Sequence, residues 1–222
     1  MKLAIDSSQT SGSIAIHDGV RLVYSAFFDI RITHSETLMP VLDAAMKLCG
    51  YRPQDINELY ICLGPGSFTG LRIGLATAKG IAYAQDIPVL GFSSFELAAL
   101  SCMISGKKII SVIDAKMQEV YAAGFDVDLS STIPPCVTTP KEILNWDLNG
   151  YVFCGSGVPR ISEIASSSDI TLDYAPPYYH QLKAEYLFEL SRYIAPRVHQ
   201  GNALADLEPF YIRESTAQMR KR

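Results

Sequence analysis

A duplicated α/β architecture, two lobes each built on a mixed sheet, is what this sequence predicts, on three observations. Short β-rich apolar runs alternate with helical periodicities along the chain. A strand closing on Ile-Asp opens each half, at Ile5-Asp6 and again at Ile113-Asp114. A glycine-rich segment, Gly64-Pro65-Gly66-Ser67-Phe68-Thr69-Gly70, lies between an apolar strand and a helix.

The first half reads strand by strand. Lys2–Asp6, Ser13–His17 and Leu22–Phe28 are β-rich runs separated by Ser7–Gly12 and by Asp18-Gly19, a dipeptide that marks a hairpin. Thr33-His34-Ser35-Glu36 has the T-x-x-E form of a capping box. Leu38, Val41, Leu42, Ala45, Met46 and Cys49 then recur at helical spacing up to Gly50, with Pro40 expected to kink the helix. Leu59–Leu63 is a strand, the helix after the glycine loop runs to about Gln85, Val89–Phe92 is a strand and Ser93–Met103 a helix.

The second half repeats the opening with strands at Ile109–Ile113, Glu119–Phe125 and Tyr151–Cys154, and closes on a long helix over Gln181–Val198. Residues 126–150 and 155–180, rich in Pro, Ser and Asp, are expected to be loops. The boundary falls near residue 105, giving lobes 1–104 and 105–222 and leaving room for the C-terminal segment to pack back on the first lobe.

At 222 residues the chain can bury about 72% of its unfolded surface, so neither disulfide nor metal is needed to hold it together. Lys plus Arg less Asp plus Glu is 19 − 23 = −4, the wrong sign for holding a polyanion alone. Any nucleic acid is therefore expected to be held mainly by a partner. The five cysteines lie in apolar segments with no C-x-x-C pair and read as reduced core residues. With no secretory h-region and no apolar run long enough for a membrane span, a cytoplasmic protein is expected.

The Gly64–Gly70 loop invites two readings. Free amides at the helix start and bare glycines could accept a phosphate or carboxylate at Gly64, Gly66, Ser67 and Thr69. Equally, the loop is a tight turn with Ser67 or Thr69 as helix cap, since it matches neither a Walker loop nor a dinucleotide fingerprint. In the helix that follows, Gly70, Gly74, Ala78 and Ala82 leave one side nearly bare, suited either to the chain's own sheet or to another subunit. Leu38, Val41, Leu42 and Ala45 of the preceding helix would complete such an interface. Asp6 and Asp114 could face a nucleotide and its metal, or simply cap turns. His17, His34, His180 and His199 form no H-x-x-x-H pair, and no G-x-S-x-G elbow occurs, so neither a metal site nor a catalytic residue is assigned.

The opening Leu3-Ala4-Ile5-Asp6-Ser7, His34-Ser35-Glu36 with Leu38 and Pro40, the run Gly64 to Gly74, Ala78-Lys79-Gly80, Ile113-Asp114-Ala115-Lys116 with Glu119-Val120-Tyr121, and Glu208-Pro209-Phe210-Tyr211-Ile212-Arg213 together resemble the bacterial TsaB family, also called YeaZ. The likeness runs from residue 3 to about 213 and is densest before residue 121. It implies a duplicated actin-like/RNase H-like (ASKHA) fold and a part in forming N6-threonylcarbamoyladenosine on tRNAs that read codons beginning with A. It further implies a non-catalytic partner of TsaD, the paralogue that transfers the group, with TsaE, an ATPase, joining them. The catalytic family carries an NHxxGH-like segment whose histidines bind a metal, and by that alignment Ser94 and Ala98 stand in their places. The expectation is a scaffold that docks its Thr33–Cys49 and Thr69–Gln85 helices on TsaD, pairs with itself when alone, and meets tRNA through the complex. No cofactor is expected to bind tightly, and ATP or ADP only within the complex. The rivals are an ATPase or phosphotransferase using Asp6 and Asp114, and a glycoprotease-type peptidase.

Overall fold

A computed structural model describes residues 1–29, 34–116 and 118–212. The chain runs β1 (Lys2–Asp6), β2 (Gly12–His17), β3 (Leu22–Phe28), α1 (His34–Cys49), β4 (Glu58–Cys62), α2 (Phe68–Gln85), β5 (Val89–Phe92) and α3 (Ser94–Cys102). It continues through β6 (Lys108–Asp114), β7 (Val120–Phe125), β8 (Ser131–Thr138), α4 (Pro140–Ile143), β9 (Tyr151–Cys154), α5 (Val158–Ser167), β10 (Asp173–Tyr174), α6 (Tyr186–Leu190) and β11 (Arg197–His199). Among the described residues no helix is long and apolar enough to cross a membrane.

The strands form two sheets, ordered β11-β5-β4-β1-β2-β3 and β10-β9-β6-β7-β8. In the first, β1 is antiparallel to β2 and parallel to β4, β4 is parallel to β5, and β2 is antiparallel to β3. In the second, β6, β7, β8, β9 and β10 repeat that pattern strand for strand. The order 3-2-1-4-5, with three antiparallel strands continued by two parallel ones, is therefore built twice, the duplicated actin-like/RNase H-like plan expected from the sequence.

Two compact units carry these sheets, one of Met1–Leu97 with Leu182–Pro209, the other of Ala98–Gln181 with the chain from Phe210 onward. The chain thus passes from one unit to the other inside α3, earlier than residue 105, and it returns at Leu182.

In the first unit the central strands are buried on both faces, which is why they read as unbroken apolar runs rather than alternating ones. Helices α1 and α2 pack on the sheet and on each other, while the Phe188 ring of α6 meets Tyr60 edge-on at 5.1 Å and His17 at 5.4 Å. Asp18 closes the β2–β3 turn by accepting from the Val20 and Arg21 amides at 2.7 and 2.8 Å. Helix α1 continues through Pro40, and Thr33 of the expected capping box lies outside the described residues. The second unit is organised around Ile110, Val112, Val120, Phe153, Val158 and Ile161, with α4 and α5 contributing to its core.

Two expectations are corrected. Residues 126–150 and 155–180 are not simply loops: they contain β8, α4, α5 and β10. Their polar composition hid an edge strand whose prolines, Pro134 and Pro135, such a position tolerates, and a capping box in which Thr139 and Glu142 satisfy each other's amides. Nor is Gln181–Val198 one long helix. Only Tyr186–Leu190 is α-helical, and Arg197–His199 instead pairs antiparallel with β5. Pro196, which cannot donate to a helix ladder, precedes the switch to strand.

Candidate functional site

In the first unit the candidate residues gather where β1 ends. The Asp6 carboxylate is fully buried and accepts the Ser8 amide at 3.0 Å, folding the chain into a turn directly after the strand. That turn lies against the glycine loop. The Ser8 carbonyl accepts the Ser67 amide at 2.7 Å, and the Ser7 hydroxyl donates to the Gly70 carbonyl at 2.8 Å. A Cβ on Gly66 would collide with the Ser8 carbonyl, and one on Gly74 with the Ser7 hydroxyl. Gly64, after which the peptide bond to Pro65 is cis, takes φ +97°, a left-handed value that favours glycine, and its carbonyl accepts the Ser94 amide at 2.8 Å.

Ser67 caps α2 by accepting the Gly70 amide at 3.2 Å, as one of the two sequence readings had it. Thr69 points outward in the first turn. The amides of Ser67 and Gly70 are thus engaged within the protein itself. Behind the loop, burial and then the Asp6 charge push the Cys62 thiol well above its ordinary pKa, and its sulfur lies 3.2 Å from the Ser94 hydroxyl. A thiol so protected stays protonated and is no nucleophile.

The bare stripe of α2 is turned inward. Gly70, Gly74, Ala78 and Ala82 are buried, as are Leu38, Leu42 and Ala45 of α1, and Val41 is half-buried. The expectation that these positions meet another subunit is corrected: the four-residue repeat of small side chains lets α2 close on the turn after β1 and on its own sheet. What α1 and α2 show to solvent is a different set, including Met39 at 51% exposure, Leu48 at 77% and Tyr83 at 76%, with the Arg72 guanidinium stacked over the Phe68 ring at 3.9 Å.

The second unit repeats the device around Asp114, whose carboxylate accepts the Lys116 amide at 3.0 Å just as Asp6 accepts that of Ser8. The loop facing it is Cys154-Gly155-Ser156-Gly157, which leads from β9 into α5 as the Gly64 loop leads from β4 into α2. Gly155 takes φ +99°, the counterpart of Gly64, and the Gly157 amide donates to the Val112 carbonyl at 2.9 Å. The Ser156 hydroxyl accepts the Asp114 amide at 3.2 Å. Two cations hold the Asp114 carboxylate, Arg160 at 2.8 Å and Lys116 at 2.9 Å. Burial raises its pKa, but the Lys116 hydrogen bonds and the charges of Lys116 and Arg160 outweigh this and bring it below the ordinary carboxylate value. Reading from sequence singled out Asp114 but not Gly155, Ser156, Gly157 or Arg160. The signal available was a Gly-Ser-Gly directly after a strand closing on Cys, echoing Cys62 and the loop beyond it.

Ser94 and Ala98, the positions the resemblance aligns with metal-binding histidines, are both completely buried on α3. A hydroxyl and a methyl group offer no neutral nitrogen to a metal. Among the described residues no three His, Cys, Asp or Glu side chains come together in a way that could hold one.

Residues 30–195 match the family model described as TsaD: tRNA N6-adenosine threonylcarbamoyltransferase. The tRNA threonylcarbamoyladenosine biosynthesis protein TsaB of Haemophilus influenzae is 27% identical over 226 residues, covering 95% of this chain and 92% of that protein. The protein of the same name from Bacillus subtilis is 35% identical over 121 residues, 54% of this chain and 52% of its own length. In fold, the chain is similar to a crystal structure from Pseudomonas aeruginosa described as resembling peptidase YeaZ, with a TM-score of 0.77 and 23% identity over 96% of this chain and 99% of that one. A second Pseudomonas aeruginosa structure, named YeaZ, gives a TM-score of 0.70 at 24% identity over 86% and 90%.

Proposed function

This chain belongs to the TsaB (YeaZ) branch of the family that the threonylcarbamoyltransferase model describes, and from that premise we propose that it is a non-catalytic partner of TsaD in forming N6-threonylcarbamoyladenosine on tRNA. One observation carries the proposal. The fold is kept in duplicate, yet Ser94 and Ala98 fill the metal positions with side chains that cannot coordinate and are packed into the core. The polar residues that remain are engaged in the fold: Asp114 in ion pairs, Ser7 and Ser67 in bracing the glycine loop.

The surface assigned to the partner is the outward side of α1 and α2, with Met39, Leu48 and Tyr83 as apolar contacts beside exposed Ala76 and Gly80, where a second backbone can come close. The lone chain is proposed to pair with itself through the same side, TsaE to join the assembly, and neither ATP nor ADP to bind tightly outside it. The test is nucleoside mass spectrometry of tRNA from cells depleted of this protein and complemented with wild-type or Tyr83→Glu chain. Loss of the modification on depletion, with rescue by wild type and not by the folded variant, is expected. Persistence of the modification after depletion overturns the function, and rescue by the variant with unchanged TsaD affinity overturns the surface. Calorimetry of the purified chain with ATP and Mg²⁺ addresses the rival ATPase reading, which tight binding by the lone subunit would favour.

A further inference from the structure

The second unit holds a cleft of about 240 Å³ that has no part in the site described above. Its walls include Ile104, Pro176 and Tyr179, its rim carries the Lys107–Asp173 ion pair at 2.8 Å, and Ser101 and Cys102, the last turn of α3, also line it. Ser101 is anchored there, its hydroxyl within 2.6 Å of the Ala98 carbonyl and 3.0 Å of the Tyr179 carbonyl. Cys154, at the end of β9, is fully buried and directs its thiol to that same Ala98 carbonyl at 3.4 Å. Ala98 is one helical turn before Cys102, so the two sulfurs meet beside it and hydrogen-bond each other. One thiol of the pair therefore lines an open cleft and the other lies sealed behind it.

We propose that Cys102 and Cys154 are an oxidisable dithiol, reached through this cleft by a small hydroperoxide and closing to a disulfide that ties α3 to β9. The step balances. The Cys102 thiolate attacks one oxygen of the peroxide and breaks the O–O bond, giving Cys102 sulfenic acid and water or an alcohol. The Cys154 thiol then attacks the Cys102 sulfur, releasing the hydroxyl as a second water with the Cys154 proton. Two thiols are oxidised and one peroxide is reduced. The electrostatics favour this direction of attack: the hydrogen bond from Cys154 lowers the Cys102 pKa, while the same bond and complete burial raise that of Cys154. The outer sulfur is thus the attacking one and the inner sulfur the resolving one.

Peptide mapping of the whole chain, reduced, treated with hydrogen peroxide and alkylated with N-ethylmaleimide in denaturant, tests this without any variant. A Cys102–Cys154 linked peptide, lighter by two hydrogens and lost on dithiothreitol treatment, is expected. Alkylation of both cysteines while the half-buried Cys49 or Cys136 has already been oxidised overturns the proposal. In the Cys154→Ser variant, whose hydroxyl keeps the Ala98 carbonyl as acceptor, Cys102 is expected to accumulate a dimedone adduct that the wild type lacks. An equal adduct yield in both proteins would remove Cys154 as the resolving thiol, and the proposal with it.

Discussion

Gly66 and Gly74 mark the points at which the turn after β1 touches the glycine loop and α2. At Gly66 the obstacle to a side chain is backbone, the Ser8 carbonyl that also accepts the Ser67 amide, so Gly66→Ala is expected to destabilise the chain by about 2–3 kcal/mol. Gly80, on the same helix but with nothing near its Cβ direction, has no such constraint, and Gly80→Ala should instead stabilise by up to about 1 kcal/mol. Urea midpoints at unchanged m-value separate the two signs. Asp114 gives a pH dependence. Its pKa is depressed in the folded chain, so its contribution is complete above the unfolded carboxylate value near pH 4 and is lost as pH falls through the folded value. Because Lys116 is 69% exposed, solvent screens the pair, and Asp114→Asn should flatten that acid slope by less than about 1 kcal/mol, read from denaturation at a series of pH values.

At the scale of elements, α3 begins with a reciprocal cap in which the Ser93 amide donates to Glu96 at 2.6 Å and the Glu96 amide to the Ser93 hydroxyl at 3.2 Å. Ser93→Ala is expected to cost about 1 kcal/mol in a thermal or urea melt, and Glu96→Gln, which can still accept, less. Elements carried by strong local patterns were legible in the sequence. The runs Lys2–Asp6, Leu22–Phe28, Val89–Phe92 and Tyr151–Cys154 are strands with those bounds. Elements that owe their existence to distant partners were not. Arg197–His199 is a strand only because β5 offers it an edge, and Ser131–Thr138 only because it lies along β7. The candidate site divides the same way. The first glycine loop declares itself through its length, whereas its counterpart at Gly155 is a bare tripeptide whose meaning comes from the strand and helix around it. The inward facing of the α2 stripe could not be read at all, because small residues at four-residue spacing suit a sheet of the same chain as well as a helix of another.

For the molecule as a whole, the charge balance of 19 cations against 23 anions leaves little to attract a polyanion. The purified chain alone is expected not to shift tRNA in a native gel at physiological salt, and to co-migrate with tRNA only when TsaD is added. A shift by the chain alone would move direct tRNA contact into its own role. The sheet order carries a consequence for how the protein is made. The outermost strand of the first sheet, β11, comes from near the end of the described chain and closes the edge of β5 through Arg197, Val198 and His199. During synthesis on the ribosome Phe92 emerges long before Arg197, and for that interval β5 has no neighbour of its own on that side. A chain cut short upstream of Arg197 would keep that edge bare, and its amides and carbonyls would be open to pairing with another unfinished copy.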